Sequence, residues 1–313
     1  MILVTGATGT IGRPLIEVLS TAGVEIRAVT RNPQAAGLPA HVEVVAGDPS
    51  RPGTLAAALR GVTALFLHPR AVGDAAFGLL ALAREQGVQR VVALSAMNID
   101  DPLDQQPSRY NGDRNKEAED AAVASGLEWV SLRPNSFATN TIGAWGAQIR
   151  AGDVVRYVCA AFEESLLDER DLAEVGGHAL LSDDLVGRRL MLTGPQSLSH
   201  AEMVATIGSV IGRPLRFQEI EPEVARRGMI ANGFSEPFIE ALMARYARGV
   251  GQAAPLTGEV AQILGRPART YAEWVADHAD AFRTEQAAQA ATDDAHGRRG
   301  DRSSPHMYKG ADR

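Results

Sequence analysis

The chain has 313 residues, 45% of them apolar, and a formal net charge of −7. That is enough for one large domain, or a domain and a half, with a sizeable core. The acidic balance argues against a nucleic-acid backbone as main partner, because binding one needs a basic face.

The first half alternates between two kinds of segment. Ile2–Thr5 reads as a short buried strand and Ile11–Thr21 as a helix with Ile11, Leu15, Ile16 and Leu19 on one face. Strands follow at Val24–Thr30 and Val42–Val45, a short helix at Thr54–Leu59, a strand at Val62–Leu67 and a helix at Ala75–Gln86. Arg90–Ser95 is a strand, Asp113–Ser125 a helix ending at Gly126, and Trp129–Arg133 a strand. Strands apolar on both faces, alternating with helices, predict an α/β protein with a doubly wound parallel sheet of the Rossmann type.

After Pro134 the pattern changes. Ala138–Arg150 reads as a helix, Val154–Val158 as a strand, Glu169–Leu181 as a helix and Arg189–Leu192 as a strand. A helix begins at Ser199, whose hydroxyl caps its first turn, and ends before Gly212. "LRFQEIE" alternates like a small strand, and Glu223–Phe282 is mostly helical. The expected organisation is a nucleotide-binding domain over 1–150, to which 169–193 returns, and a smaller, mostly helical cap over 151–282. Residues 283–313 have almost no large apolar side chains and read as a disordered tail. The single cysteine, Cys159, excludes a disulfide framework within the chain and reads as a small core residue. With no stretch of membrane-spanning length and no signal segment before the first strand, a cytoplasmic protein without a metal site is expected.

The chemistry starts at "GATGTIG". Gly6 permits a tight turn, Gly9 lets a pyrophosphate approach the backbone, and Gly12 lets the helix pack close to the sheet. Thr8, Thr10 and Ile11 complete the loop, and the free amides and positive dipole end of the helix face the anion. Strand, glycine turn and helix in this order predict dinucleotide binding. An acidic residue at the end of the second strand would mark NAD, but Thr30 and Arg31 stand there. A guanidinium pairs well with a 2′-phosphate, and Arg13 is placed to join it, so NADP(H) is preferred over NAD(H). Arg31 can alternatively stack on the adenine. Asp48, in "AGDP", falls near the adenine or serves its own turn.

"VTGATGTIG", "VTRNP", "VQRVVALSA", "SGLEWVSLRPNSFATN" and "LTGPQSLSHAEMVATIGSVIGRPL" together resemble the NmrA-like, NAD(P)H-binding atypical short-chain dehydrogenase/reductase proteins, in particular their bacterial quinone-oxidoreductase-like members. The resemblance extends over about 1–282. It implies a cofactor cleft between two domains, with His68 and Pro69 beside the cofactor ribose and Pro134, Asn135 and Phe137 near the nicotinamide. It also implies a catalytic Ser or Thr after the fifth strand and a Tyr-x-x-x-Lys pair. Here the chain reads Ser95-Ala96-Met97, and the tyrosine and lysine places fall on Asn111 and Asn115. Tyr110 and Lys116 are each one place away, and on a straight helix they would point about 120° apart. The candidate catalytic groups are therefore Tyr110, His68, Lys116 and Ser95. Met97, Asn111, Asn115, Asn140 and Trp145 are the candidate substrate contacts, Trp145 and Phe137 suiting a flat aromatic molecule. The expected activity is NADPH-dependent reduction of a small-molecule ketone, quinone or enone by a monomer or homodimer. A non-catalytic NADP(H) redox sensor with a protein partner, or a non-redox isomerase or cyclase, are the alternatives on the same fold.

Overall fold

Apolar runs with no polar face can be buried only in a sheet covered on both sides. The computed structural model, which describes residues 1–283, places them there. Strands β1 (Ile2–Val4), β2 (Ile26–Thr30), β3 (Glu43–Ala46), β4 (Ala64–Leu67), β5 (Arg90–Leu94) and β6 (Glu128–Pro134) are joined by helices α1 (Gly12–Thr21), α2 (Pro69–Val72), α3 (Ala76–Glu85) and α4 (Asn115–Ala124). Beyond β6 the chain leaves the sheet through α5 (Ala147–Ala151), β7 (Val154–Tyr157) and β8 (Glu163–Glu164). It returns as α6 (Glu169–Leu181) and β9 (Arg189–Leu192). The seven sheet strands are ordered β3-β2-β1-β4-β5-β6-β9 and every pairing is parallel. Strand order reverses between β1 and β4, which opens a ligand crevice at their carboxyl ends.

The pleat sorts the core into two layers. Ile2, Val4, Phe66, Val92 and Leu132 face α1 and α6, while Leu3, Leu65, Leu67, Val91 and Ala93 face α3 and α4.

The remaining elements form a small lobe over the carboxyl edge. They are β10 (Leu198–Ser199), α7 (His200–Val210), β11 (Arg216–Glu219), α8 (Pro222–Ala231), α9 (Glu236–Gly249) and α11 (Tyr271–Asp277); α10 (Glu259–Leu264), between the last two, packs instead on α6 and β9. β11 pairs with β7 and β10 with β8. Ser199 caps α7 in a reciprocal box with Glu202. Trp145, Ile149, Met203, Ile207, Trp274 and Phe282 fill the lobe's core.

Three local expectations differ from the structure. Thr54–Leu59 is not a regular helix: a 3₁₀ turn at Pro52–Leu55 runs into hydrogen-bonded turns. The helix expected at Ala138–Arg150 is present but starts two residues late, running unbroken over 140–151 through a π segment. The Ala138 amide bonds the Leu167 carbonyl and the Leu167 amide bonds that of Ser136, which keeps Ser136 and Phe137 out of the helix. A π turn at Ile142–Gly146, containing two glycines, then precedes α5. Thirdly, Tyr110 and Asn111 end a 3₁₀ turn, Pro107–Asn111. Gly112, at φ 92°, separates them from α4, so the straight-helix relation between Tyr110 and Lys116 does not hold. The expected tail lies, beyond Arg283, outside the described residues.

Candidate active site

The glycine loop is built as an anion cradle. Gly6 sits at φ 67°, and a Cβ there would stand 2.8 Å from the His68 ring. A Cβ on Gly12 would stand 2.2 Å from the Gly6 carbonyl oxygen. At Gly9 a Cβ would meet only that oxygen, at 3.2 Å, and otherwise open space. The Gly9 amide closes the turn onto the Gly6 carbonyl at 3.0 Å, and the Arg13 amide bonds the Gly9 carbonyl at 3.1 Å. The amides of Thr10, Ile11 and Gly12 have no backbone acceptor among the described residues. They are the donors that a helix start leaves open to an anion. Thr8, Gly9 and Thr10 are exposed, and a shallow groove of about 450 Å³ runs from them and Arg13 to Arg170 and His278. These residues fit a dinucleotide, which would supply hydride chemistry at the sheet edge.

At the adenosine end, Arg13 is fixed by three carbonyls. Its Nε donates to Thr8, its Nη1 to Gly37 and its Nη2 to Ala36, at 3.1, 2.9 and 2.9 Å. Arg31, at the end of β2, is exposed and forms no ion pair among the described residues. Asp48 accepts from the Ser50 hydroxyl at 2.7 Å and the Ser50 amide at 3.1 Å. Those bonds, with Arg31 nearby, hold its carboxyl below the usual range.

Thr5, just past the end of β1, ties it to β4. Its hydroxyl donates to the Phe66 carbonyl at 2.9 Å and accepts from the His68 amide at 2.8 Å. His68 is thereby set against the glycine turn, ahead of the buried Pro69. Burial lowers the His68 pKa, so the ring is neutral at pH 7. Its Nδ1 accepts from the Arg70 amide at 3.3 Å. An amide can only donate, so the ring proton is on Nε2. The Arg70 side chain makes a two-pronged pair with Asp113, at 3.0 and 2.8 Å, which pins the loop before α4 beside His68.

At the ends of β5 and β6, Ser95 is 3% exposed and its hydroxyl has no partner among the described residues. The Met97 amide bonds the Pro134 carbonyl at 3.0 Å. The Asn135 amide bonds the Leu192 carbonyl and its side chain donates to Ser165 at 2.7 Å. Phe137 is half-buried against the sheet core.

Tyr110 and Lys116 stand on separate elements and bond different partners. Tyr110 is 38% exposed and its hydroxyl reaches only the Asp104 carbonyl, at 3.4 Å. Lys116 pairs with Asp120 one turn along α4, at 3.1 Å. Asn115 is buried and donates to the Ser108 hydroxyl at 3.1 Å, while Asn111 and Asn140 are exposed. Trp145 is 2% exposed, edge-on to Tyr157 and His200 inside the small lobe, rather than on a cleft wall. Cys159 is half-buried with φ 54°, and burial raises its thiol pKa. Among the described residues no helix is long and apolar enough to cross a membrane.

Residues 6–159 match the family model described as NAD(P)H-binding. The chain is 36% identical over 290 residues to a (4-alkanoyl-5-oxo-2,5-dihydrofuran-3-yl)methyl phosphate reductase of Streptomyces griseus, covering 91% of this chain and 100% of the relative. It is 32% identical to an NAD(P)H azoreductase of Xenophilus azovorans, over 90% of this chain and 99% of that protein. An Escherichia coli NADPH-dependent quinone oxidoreductase, solved with NADPH, superposes with a TM-score of 0.75 at 21% identity, over 88% of this chain and 99% of that one. The chain belongs to the NAD(P)H-binding family of NmrA-like, atypical short-chain dehydrogenases/reductases and is an NAD(P)H-dependent oxidoreductase.

Proposed function

We propose that the protein reduces a small conjugated acceptor, a quinone, enone or ketone, with NADPH and without a Tyr-x-x-x-Lys acid. The observation that carries this reading is a complete nucleotide cradle together with a Tyr110 and a Lys116 that stand on separate elements and bond different partners. The protic groups left at the carboxyl edge are the Nε2–H of neutral His68 and the unpartnered hydroxyl of Ser95. Both are weak acids at pH 7. They suit an acceptor whose own conjugation spreads the charge it gains, so that a strong proton donor is unnecessary. The named substrate of the Streptomyces relative has a ring double bond conjugated with two carbonyl groups, which supports the same acceptor chemistry here.

Arg31 is the basis for NADPH over NADH. It is a cation with no partner among the described residues, beside the cradle's adenosine end, where an NAD-selective site would carry a carboxylate.

The deciding experiment follows NADPH absorbance with a panel of benzoquinones, naphthoquinones, cyclic enones and polycyclic ketones. Turnover with quinones or enones, and little with simple unconjugated ketones, is expected. Tight NADPH binding with no turnover of any acceptor would overturn the reductase reading in favour of a redox sensor.

A further inference from the structure

A group of buried polar side chains not yet assigned a role lies where the small lobe meets the sheet edge. Ser136, two residues past the end of β6, donates its hydroxyl to Glu164 Oε1 at 2.7 Å. Arg245 of α9 approaches from the other side. Its Nη2 is 3.1 Å from the Ser136 oxygen and is paired with the same Glu164 oxygen. The guanidinium carbon stands 5.3 Å from the centre of the Phe162 ring. The other titratable groups packed here are Tyr157 of β7, Tyr246 of α9 and His200 of α7. The two tyrosine hydroxyls are 3.2 Å apart, and His200 Nδ1 is 3.1 Å from the Val158 carbonyl. Burial keeps all three neutral at pH 7.

Two features separate Arg245 from a purely structural ion pair. Arg70 and Arg133 each engage a carboxylate through two nitrogens, as a rigid fork does when it serves only to pair. All the polar contacts of Arg245 run through Nη2. Its Nη1 and Nε bond nothing among the described residues. In addition, 24% of its side chain is accessible although rings and Glu164 surround it. The unengaged donors therefore stand where α9 meets the segment following β6.

We propose that Arg245 holds the carbonyl oxygen of the reducible substrate and takes up the negative charge that develops there. This rests on the reductase reading above. The Arg245–Glu164 pair has no net charge, which suits a neutral carbonyl better than a dianion, since Glu164 would repel the latter. A bound reduced nicotinamide would supply a hydride to the acceptor carbon and be left oxidised. The displaced π pair moves onto the carbonyl oxygen, where the free N–H groups of Arg245 form charge-assisted hydrogen bonds to it. The oxygen then takes a proton from water, and the product leaves as an alcohol, enol or hydroquinone. Arg245 thereby performs the electrostatic part of the work of the absent tyrosine.

The test uses 4-nitrophenol, whose phenolate is visible by absorbance, added to the full chain without cofactor below the phenol's own ionisation range. The expected result is a phenolate band on binding, its apparent pKa lowered by about one unit. Arg245→Lys keeps part of the shift. Arg245→Met combined with Glu164→Gln, which avoids stranding a buried carboxylate, abolishes it with an unchanged circular dichroism spectrum. In parallel, that double variant loses roughly 10²–10³-fold in kcat at unchanged NADPH affinity. An unmodified protein that shows no band, or a double variant that shows the same band, overturns the proposal. An Arg245-dependent band without turnover of any acceptor upholds the anchor and sinks the reductase reading. Turnover without such a band does the reverse.

Discussion

Two glycines of one turn do different work, and their nearest neighbours say so. Gly12 touches backbone on every side that a Cβ could occupy, whereas Gly9 faces open space apart from one carbonyl oxygen. Gly12→Ala has to push the helix start off the Gly6 carbonyl, so a loss of about 1–3 kcal/mol in urea-unfolding stability is expected. Gly9→Ala should leave stability within about 0.5 kcal/mol of the parent while weakening NADPH binding at least tenfold by titration. A fall in stability at position 9 as large as that at position 12 would show that the turn serves the fold rather than an anion. The flanking strand and helix patterns made these roles legible in the sequence, because the motif is local and each glycine's place in it follows from the turn. Thr5 and Arg245 were not legible. The partners of Thr5 lie 61 and 63 residues away and those of Arg245 81 and 109 residues away, and no periodicity in a short window carries such pairings.

At the scale of elements, one carboxylate joins four segments. Glu119 of α4 bonds Ser131 and Arg133 of β6 and Arg189 of β9, and Arg133 carries the link on to Asp100 in the loop after β5. Burial would raise its pKa, but the bonds from Arg133, Ser131 and Arg189 outweigh that and lower it from 4.5 to about 2. A carboxyl lowered in the folded state adds stability that is fully present above about pH 4.5 and is lost as pH falls toward about 2. Glu119→Gln should therefore cost about 3–5 kcal/mol at neutral pH. In urea titrations the gap to the parent should narrow steadily from pH 5 to pH 2.5. A gap that does not change with pH would show that the loss is one of shape rather than charge. The strands and α6 stand within a few residues of where alternation and helical spacing put them, since burial on two faces or one stripe imposes those periods. The helix read at Ala138–Arg150 starts two residues late and widens into a π segment. Its first residues are claimed by pairing with Leu167, and Gly143 and Gly146 loosen what remains. Asn111-Gly112 did hold a readable turn signal, and it separates Tyr110 from α4.

For the whole molecule, the two lobes share ties that argue for joint unfolding. Arg245 joins α9 to Ser136 at the sheet edge, and Arg266 and Arg269 clamp the chain before α11 onto Asp171 and Glu174 of α6. A single calorimetric transition is expected for the unliganded protein. Cofactor at one hundred times its Kd adds about 2.7 kcal/mol to the folded state, so NADPH should raise that transition by several degrees. At equal concentration NADH should raise it less, and Arg31→Ala should erase the difference between them. Equal shifts from both cofactors in the unmodified protein would remove Arg31 from the 2′-phosphate.

The path of the chain between the lobes has a consequence for how such a protein can be altered. It leaves the sheet after Pro134, comes back at Asp168 to lay α6 against α1 and β9 beside β6, and leaves again after Leu192. It returns once more at α10, on α6 and β9, before α11 rejoins the lobe, so the small lobe is sewn on with three separate threads. No single cut releases it, and a graft that exchanges only the stretch after Leu192 would leave Glu164 and Ser136 behind while replacing Arg245. Transplanting the substrate-facing half of this protein onto a relative therefore takes a crossover wherever the chain changes sides: after Pro134, before Asp168, after Leu192 and on both sides of α10.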